Sequence, residues 1–150
     1  KELAETFAPP IILANKPIGK SLRKTALDRG KPILVFEGGE NLRFDELSIN
    51  EGLLGIERIL VAKGMKDNVV AAGHSKHFHQ HTWQRGDRAG IFRWLKSSGE
   101  YVKSGEKIGV ICDPYGQDEV TMRAEKAGLI IGHDNAPVVS QGDALFHIVY

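Results

Sequence analysis

The sequence predicts an α/β segment over residues 1–67 followed by an all-β segment over residues 68–150. Three observations carry that reading. Four consecutive apolar residues, Ile33 to Phe36, follow Pro32 and end in Glu37-Gly38-Gly39, the pattern of a short strand buried on both faces inside an α/β sheet. Helical spacing persists to Gly64 and then gives way, from about Asn68, to short strand-forming runs separated by glycine. In that second part Ala89-Gly90-Ile91 returns as Ala127-Gly128-Leu129, and Val102-Lys103-Ser104-Gly105-Glu106-Lys107-Ile108 returns as Val139-Ser140-Gln141-Gly142-Asp143-Ala144-Leu145.

In chain order, Pro9 to Ala14 is an apolar run that reads as a first buried strand. Asn15 to Lys20 is a loop, and Ser21 is placed to cap a helix from Leu22 to Arg29 by accepting from a free first-turn amide. Gly30 supplies a left-handed stop and Pro32 cannot continue the helix. Strand, helix, strand in this order predicts a βαβ unit with a right-handed crossover. Glu37 then stands at the carboxyl end of the second strand, the edge where open α/β sheets bind ligands. Gly38 and Gly39 let the backbone turn there without a Cβ in the way. Glu37 is therefore a candidate general base, the alternative being an ordinary loop carboxylate.

Further on, Ser48-Ile49-Asn50-Glu51 matches a capping box. Leu53, Ile56 and Leu60, with Ile59 beside them, predict an amphipathic scaffold helix packed on the sheet and ended by Gly64. In the β segment each repeat copy places a valine, a glycine turn and an acidic residue before the next apolar strand. Two such copies are too few for a solenoid but can close on each other about a pseudo-twofold axis.

Composition narrows the function classes. Twenty Lys and Arg against nineteen Asp and Glu give a net charge of +1, which is no nucleic-acid footprint. No apolar run approaches the roughly 18 residues of a membrane span, and KELAETFAPP is not a signal peptide. The expectation is a cytoplasmic chain with no nucleic-acid or membrane partner; homo-oligomerisation is left open. Lacking an initiating methionine, the sequence reads as a fragment. The lone Cys112, in IGVIC, excludes an intrachain disulfide and reads as a buried structural thiol.

His74, His77, His79 and His81 cluster in HSKHFHQHTW. On one extended strand His77, His79 and His81 share a face with Trp83, but same-face neighbours lie about 7 Å apart, too far for all three to ligate one ion undistorted. The stretch reads as a polar linker strand. His133 and His147 lie in or beside apolar runs and read as structural, Trp83, Phe92 and Trp94 as core, and Arg85, Arg88 and Arg93 as candidates for steering carboxylated substrates.

The doubled V-x-x-G-[ED]-x-[IL] corner, with Ala124-x-x-x-Gly128 between its copies, resembles the barrel-sandwich hybrid of biotinyl and lipoyl carrier domains. Carriers present a modifiable lysine at the central hairpin; here that hairpin, Asp113 to Val120, has none, and Lys126 lies too late, so neither biotin nor lipoate is expected.

The whole chain resembles the C-terminal part of the succinylglutamate desuccinylase/aspartoacylase family, zinc-dependent enzymes related to zinc carboxypeptidases. The resemblance runs through GKSLRKTALDRGKPILVFEGGE, FDELSINEGLLGIERILVAKGM, Trp83 followed by GIFR, VKSGEKIGVICDPYG and PVVSQGDALFHI. It implies a C-terminal fragment of a carboxypeptidase-like α/β domain followed by the barrel-sandwich domain, and hydrolysis of the amide of an N-acyl amino acid or similar small substrate. It also implies that Glu37 activates a zinc-bound water and then protonates the leaving amine. The family's zinc ligands, an H-x-x-E and a later His, and its substrate-binding arginines lie upstream of the segment matching Pro9 to Ala14, and no H-x-x-E occurs here. Zinc is thus expected in the full-length parent, no metal ligand in this chain, and no activity from the chain alone. The rival reading is a non-enzymatic barrel-sandwich interaction module.

Overall fold

A computed structural model of the chain describes residues 1–67, 70, 71 and 73–150, so the change of character read at Asn68 falls outside the described residues. The chain divides into two compact units, Lys1–His77 and Phe78–Tyr150.

The first unit opens with a helix the sequence reading did not include, α1 (Glu2–Phe7), stopped by Ala8 in the left-handed region at φ 52°. Strand β1 (Ile11–Leu13) lies within the expected Pro9–Ala14 run, but it pairs only with β2 (Lys76–Phe78), the Lys76 amide donating to the Pro10 carbonyl at 2.9 Å. Helix α2 (Leu22–Asp28) is capped as its sequence dictates: the Ser21 hydroxyl accepts from the Lys24 amide at 3.1 Å, and Gly30 follows with φ 67°.

Three expectations are corrected here. Ile33–Phe36 forms no strand and joins no ladder, and Val35 is 57% exposed. A strand exists only by pairing, and no strand lies beside this run among the described residues, so the βαβ unit does not form. Helix α3 (Glu46–Ala62) begins before the expected capping box, because the Asp45 carboxylate accepts from the Ser48 amide at 3.0 Å and takes the N-cap role from Ser48. Leu53 and Ile56 of α3 do not pack on a sheet; both face solvent.

The second unit holds two four-stranded antiparallel sheets. One has the order β3 (His81–Arg85), β10 (Ala144–Val149), β8 (Gly128–His133), β5 (Tyr101–Val102). The other has the order β7 (Val120–Arg123), β6 (Lys107–Cys112), β4 (Gly90–Trp94), β9 (Val138–Val139). Exchanging β3 with β7, β4 with β8, β5 with β9 and β6 with β10 converts one order into the other. The sequence repeat is thus a structural twofold in which each sheet takes strands from both copies.

The corners repeat as well. The Glu106 carboxylate accepts from the Lys103 amide at 2.8 Å, and Asp143 accepts from the Ser140 amide at 2.7 Å, with Gly105 and Gly142 at φ 81° and 91°. Between the sheets Phe92 meets Phe146 edge to face, ring centroids 5.7 Å apart, amid Ile108, Ile111, Ile130, Leu145 and Ile148. Cys112 is buried at the end of β6, its Sγ 3.7 Å from the Ile91 carbonyl, as a structural thiol would be.

Gly90 and Gly128 sit at equivalent places, each beside the end of the antiparallel neighbour strand in its own sheet. A Cβ at Gly90 would lie 2.4 Å from the Cys112 carbonyl oxygen, and one at Gly128 2.3 Å from that of Val149. Backbone cannot swing aside as a side chain can. Gly90→Ala and Gly128→Ala are each expected to cost the second unit about 1–3 kcal/mol or more, whereas Gly132→Ala, whose Cβ would only touch that of His147 at 3.7 Å, should stay within about 0.5 kcal/mol. Urea denaturation followed by tryptophan fluorescence checks the contrast.

Candidate functional site

The segment carrying Glu37 is positioned by α3. Two glycines on one side of that helix, Gly52 and Gly55, leave room for rings. A Cβ at Gly55 would lie 2.4 Å from the Phe7 ring and one at Gly52 would lie 3.2 Å from the Phe36 ring. The two phenylalanines also touch each other, centroids 5.3 Å apart at 42°. Phe36 therefore anchors the run immediately before Glu37. On the other side of Glu37 the chain is held just as closely, since a Cβ at Gly38 would lie 2.9 Å from the Ser48 Oγ and one at Gly39 3.1 Å from the Asp45 Cβ. Gly39 has φ 83°, a conformation that favours glycine. The double glycine is thus pressed against the first turn of α3, and Glu37 stands between two fixed points.

Arg58, which the sequence reading passed over, completes this support. Its guanidinium donates to the Phe7 carbonyl at 2.9 Å, the Ala8 carbonyl at 3.2 Å and the Ala71 carbonyl at 2.9 Å. It satisfies the open carbonyls at the end of α1 while holding Phe7 over Gly55. An arginine one turn after two helical glycines and among apolar residues is the signal that was available.

The Glu37 side chain is exposed and makes no hydrogen bond or ion pair among the described residues. The first unit presents much apolar surface: Leu42 and Phe44 are 96% and 94% exposed, and Leu47, Leu53 and Ile56 are exposed too. Leu53 and Ile56 lie on a different side of α3 from the glycines, roughly a quarter-turn round.

The remaining candidates do not join Glu37. The histidine stretch is not one extended strand: His77 lies in β2 with Nε2 3.3 Å from Glu5, His79 lies in a bend and His81 opens β3, so the shared face of His77, His79 and His81 does not exist. Among the described residues no three His, Cys, Asp or Glu side chains converge as a metal would need. Arg85 donates to the Gly142 carbonyl, while Arg88 donates to the Asp118 carbonyl and Arg93 pairs with the adjacent Glu119, all within the second unit. The Asp113–Val120 hairpin joins β6 to β7 as expected, its turn closed by the Gly116 amide on the Asp113 carbonyl at 3.0 Å. His133 meets Trp94 edge-on with centroids 4.7 Å apart, and its Nδ1 lies 2.9 Å from the Ser98 hydroxyl. His147 is stacked on Trp83, centroids 4.1 Å apart at 16°. Burial, with the nearby His81 adding to it, lowers the His147 pKa from 6.5 to about 4.

Comparison with protein-family models and with curated protein sequences finds no match. Solved structures do match. A succinylglutamate desuccinylase from Silicibacter sp. TM1040 superposes with a TM-score of 0.86 at 18% identity, over 99% of this chain and 48% of that one. The ectoine utilization protein EutE (DoeB) from Ruegeria pomeroyi, in its apo form, gives 0.87 at 17% identity, over 99% and 49%. A succinylglutamate desuccinylase/aspartoacylase from Rhodobacter sphaeroides gives 0.86 at 22% identity, over 99% and 48%. The chain has the fold of about half of each of these proteins. No helix among its described residues is long and apolar enough to cross a membrane.

Two predictions follow from this geometry. Gly55→Ala should displace Phe7 and loosen the Phe36–Gly39 segment, seen as faster amide hydrogen exchange there while the second unit keeps its protection. Because the folded His147 binds its proton less readily than an unfolded histidine does, the second unit should be fully stabilised above about pH 6.5 and lose that contribution as pH falls toward 4. His147→Gln should flatten this window in a urea-denaturation series.

Proposed function

We propose that this chain is the C-terminal part of an amide hydrolase of the succinylglutamate desuccinylase/aspartoacylase type, acting on an N-acyl amino acid or similar small amide, with Glu37 as general base. The observation that carries the reading is the superposition of 99% of the chain on about half of such proteins, TM-score 0.86 and 0.87 in three of them. Two features of the first unit agree with it. The apolar side chains it exposes are those a larger domain would cover, and Glu37 is clamped at its backbone while its carboxylate stays free to meet a ligand.

On this reading the division of labour is as follows. The unit Lys1–His77 belongs to the catalytic α/β domain, and the unit Phe78–Tyr150 is a barrel-sandwich domain, the twofold of its sheets supporting that assignment. The chain's own residues do not fit a catalytic zinc, because no three candidate ligands converge among those described. On this reading the metal and the groups that select the substrate carboxylate belong to the rest of the full-length parent. Glu37 contributes proton handling: its carboxylate takes a proton from the attacking water and returns it to the leaving nitrogen. Such acid–base help is worth about 10²- to 10⁴-fold in rate. The compartment is read as cytoplasmic.

Glu37→Gln in the full-length parent protein is expected to lower kcat on a panel of N-acyl amino acids by about 10² or more with metal content unchanged, while the 150-residue chain alone shows no turnover. Unchanged turnover in the variant would remove Glu37 from the mechanism. A parent inactive on the whole panel would favour the non-enzymatic interaction module instead.

A further inference from the structure

Gly38, the residue after Glu37, is not in the left-handed region that Gly39 occupies at φ 83°, so its backbone does not by itself demand glycine. What demands glycine there is space. A Cβ at Gly38 would lie 2.9 Å from the Ser48 Oγ, 3.0 Å from the Ser48 Cβ and 3.5 Å from the Cζ of Phe36. The residues on either side of Glu37 thus meet at one point, with Gly38 between the Phe36 ring and the Ser48 side chain. Ser48 caps nothing with that side chain: its amide donates to the Asp45 carboxylate at 3.0 Å, while its hydroxyl makes no hydrogen bond among the described residues. It is half-buried in the first turn of the 17-residue α3, so its Cβ cannot retreat without moving that turn.

We infer that Ser48 is a positioning residue, its side chain being the stop against which the chain turns after Glu37, so that it sets where the carboxylate stands. The inference rests on the proposal that Glu37 is the general base of the full-length parent, and adds to it the residue that aims the base. Phe36 fixes the near side of Glu37; the contact at Gly38 fixes the far side. The chemistry makes this contact matter. A base must come within about 2.6–3.2 Å of the proton it takes, and a misplacement of about 1 Å costs on the order of 10²-fold in rate. Ordinary contact begins near 3.4 Å, so a methyl at Gly38 would have to move about half an ångström from Ser48. The Glu37 segment belongs to no helix or ladder, yields before α3 does, and carries Glu37 with it.

The test is made in the full-length parent on the panel of N-acyl amino acids, with Glu37→Gln as reference. Gly38→Ala is expected to lower kcat about 10- to 100-fold with KM within about twofold. Adding Ser48→Ala removes the Oγ but keeps the Cβ, and should recover part of the loss. Adding Ser48→Gly instead removes both, and should bring kcat to within about threefold of the parent. This second rescue separates positioning from mere stability. Glycine weakens a helix, so if Gly38→Ala acted only by destabilising the fold, the Gly38→Ala/Ser48→Gly pair would be worse than either single variant in kcat and in thermal midpoint. Undiminished kcat in Gly38→Ala, or no recovery in that pair, while Glu37→Gln loses turnover, would overturn the inference and leave the base in place. Unchanged turnover in Glu37→Gln, or a parent inactive on the whole panel, would overturn the reading and the inference with it. Should Gly38→Ala not fold, Ser48→Val adds bulk at the same contact from the helix side; the same loss of kcat with KM kept supports the inference, and undiminished kcat overturns it.

Discussion

The seating of Phe7 and Phe36 on the glycines of α3 is the contact from which the first unit takes its form. Helical glycine normally costs about 1 kcal/mol relative to alanine, so two within one turn need a compensating gain. Here the gain is close approach: each missing Cβ opens a place for an aromatic ring, and the rings bring with them the end of α1 and the run before Glu37. Arg58 then closes the arrangement by taking up the carbonyls that α1 leaves open. Neither half of this arrangement works alone. Without the rings the glycines would weaken the helix, and without the glycines the rings would be pushed away and the Glu37 segment with them.

The second unit solves a different problem with the same residue type. Its small β domain obtains a core by letting each repeat lend strands to both sheets, so that neither copy can bury its apolar face without the other. Within each copy, neighbouring strands of one ladder come close at one end, and Gly90 beside Cys112 and Gly128 beside Val149 stand at the two equivalent places. Glycine here is set by backbone proximity, in the first unit by ring packing, and at Gly105 and Gly142 by positive φ. One residue type thus answers three distinct steric demands.

These demands explain what was legible in the sequence. The repeat could be read because its corners are local: a glycine turn whose acidic side chain accepts from the amide three residues back is written in adjacent letters, at Lys103–Glu106 and Ser140–Asp143 alike. The Ser21 cap was legible for the same reason. The α3 start was misread because two capping residues, Asp45 and Ser48, compete three positions apart and sequence alone does not rank them. The face of α3 was misread because periodicity finds apolar stripes and is blind to glycine acting as a receptacle. Ile33–Phe36 has strand composition, but a strand is a property of two segments, and composition describes only one. His81 and His147 lie 66 residues apart, so their meeting is a consequence of β3 pairing with β10 and has no local signature.

Glu37, the proposed base, stands on a stretch of backbone that the first unit holds in place. Its backbone is fixed on both sides, by Phe36 on Gly52 and by Gly38 on Ser48, while nothing among the described residues engages its carboxylate. A carboxylate held structurally would be expected to spend its oxygens on amides or cations nearby, as Glu106 does on the Lys103 amide and on Lys96. A carboxylate intended for proton transfer needs the opposite, a rigid stem and an unspent head, since any fixed partner would compete with the substrate for its lone pairs. The contrast between Glu106 and Glu37 within one chain marks the first as scaffold and leaves the second available for the role proposed for it.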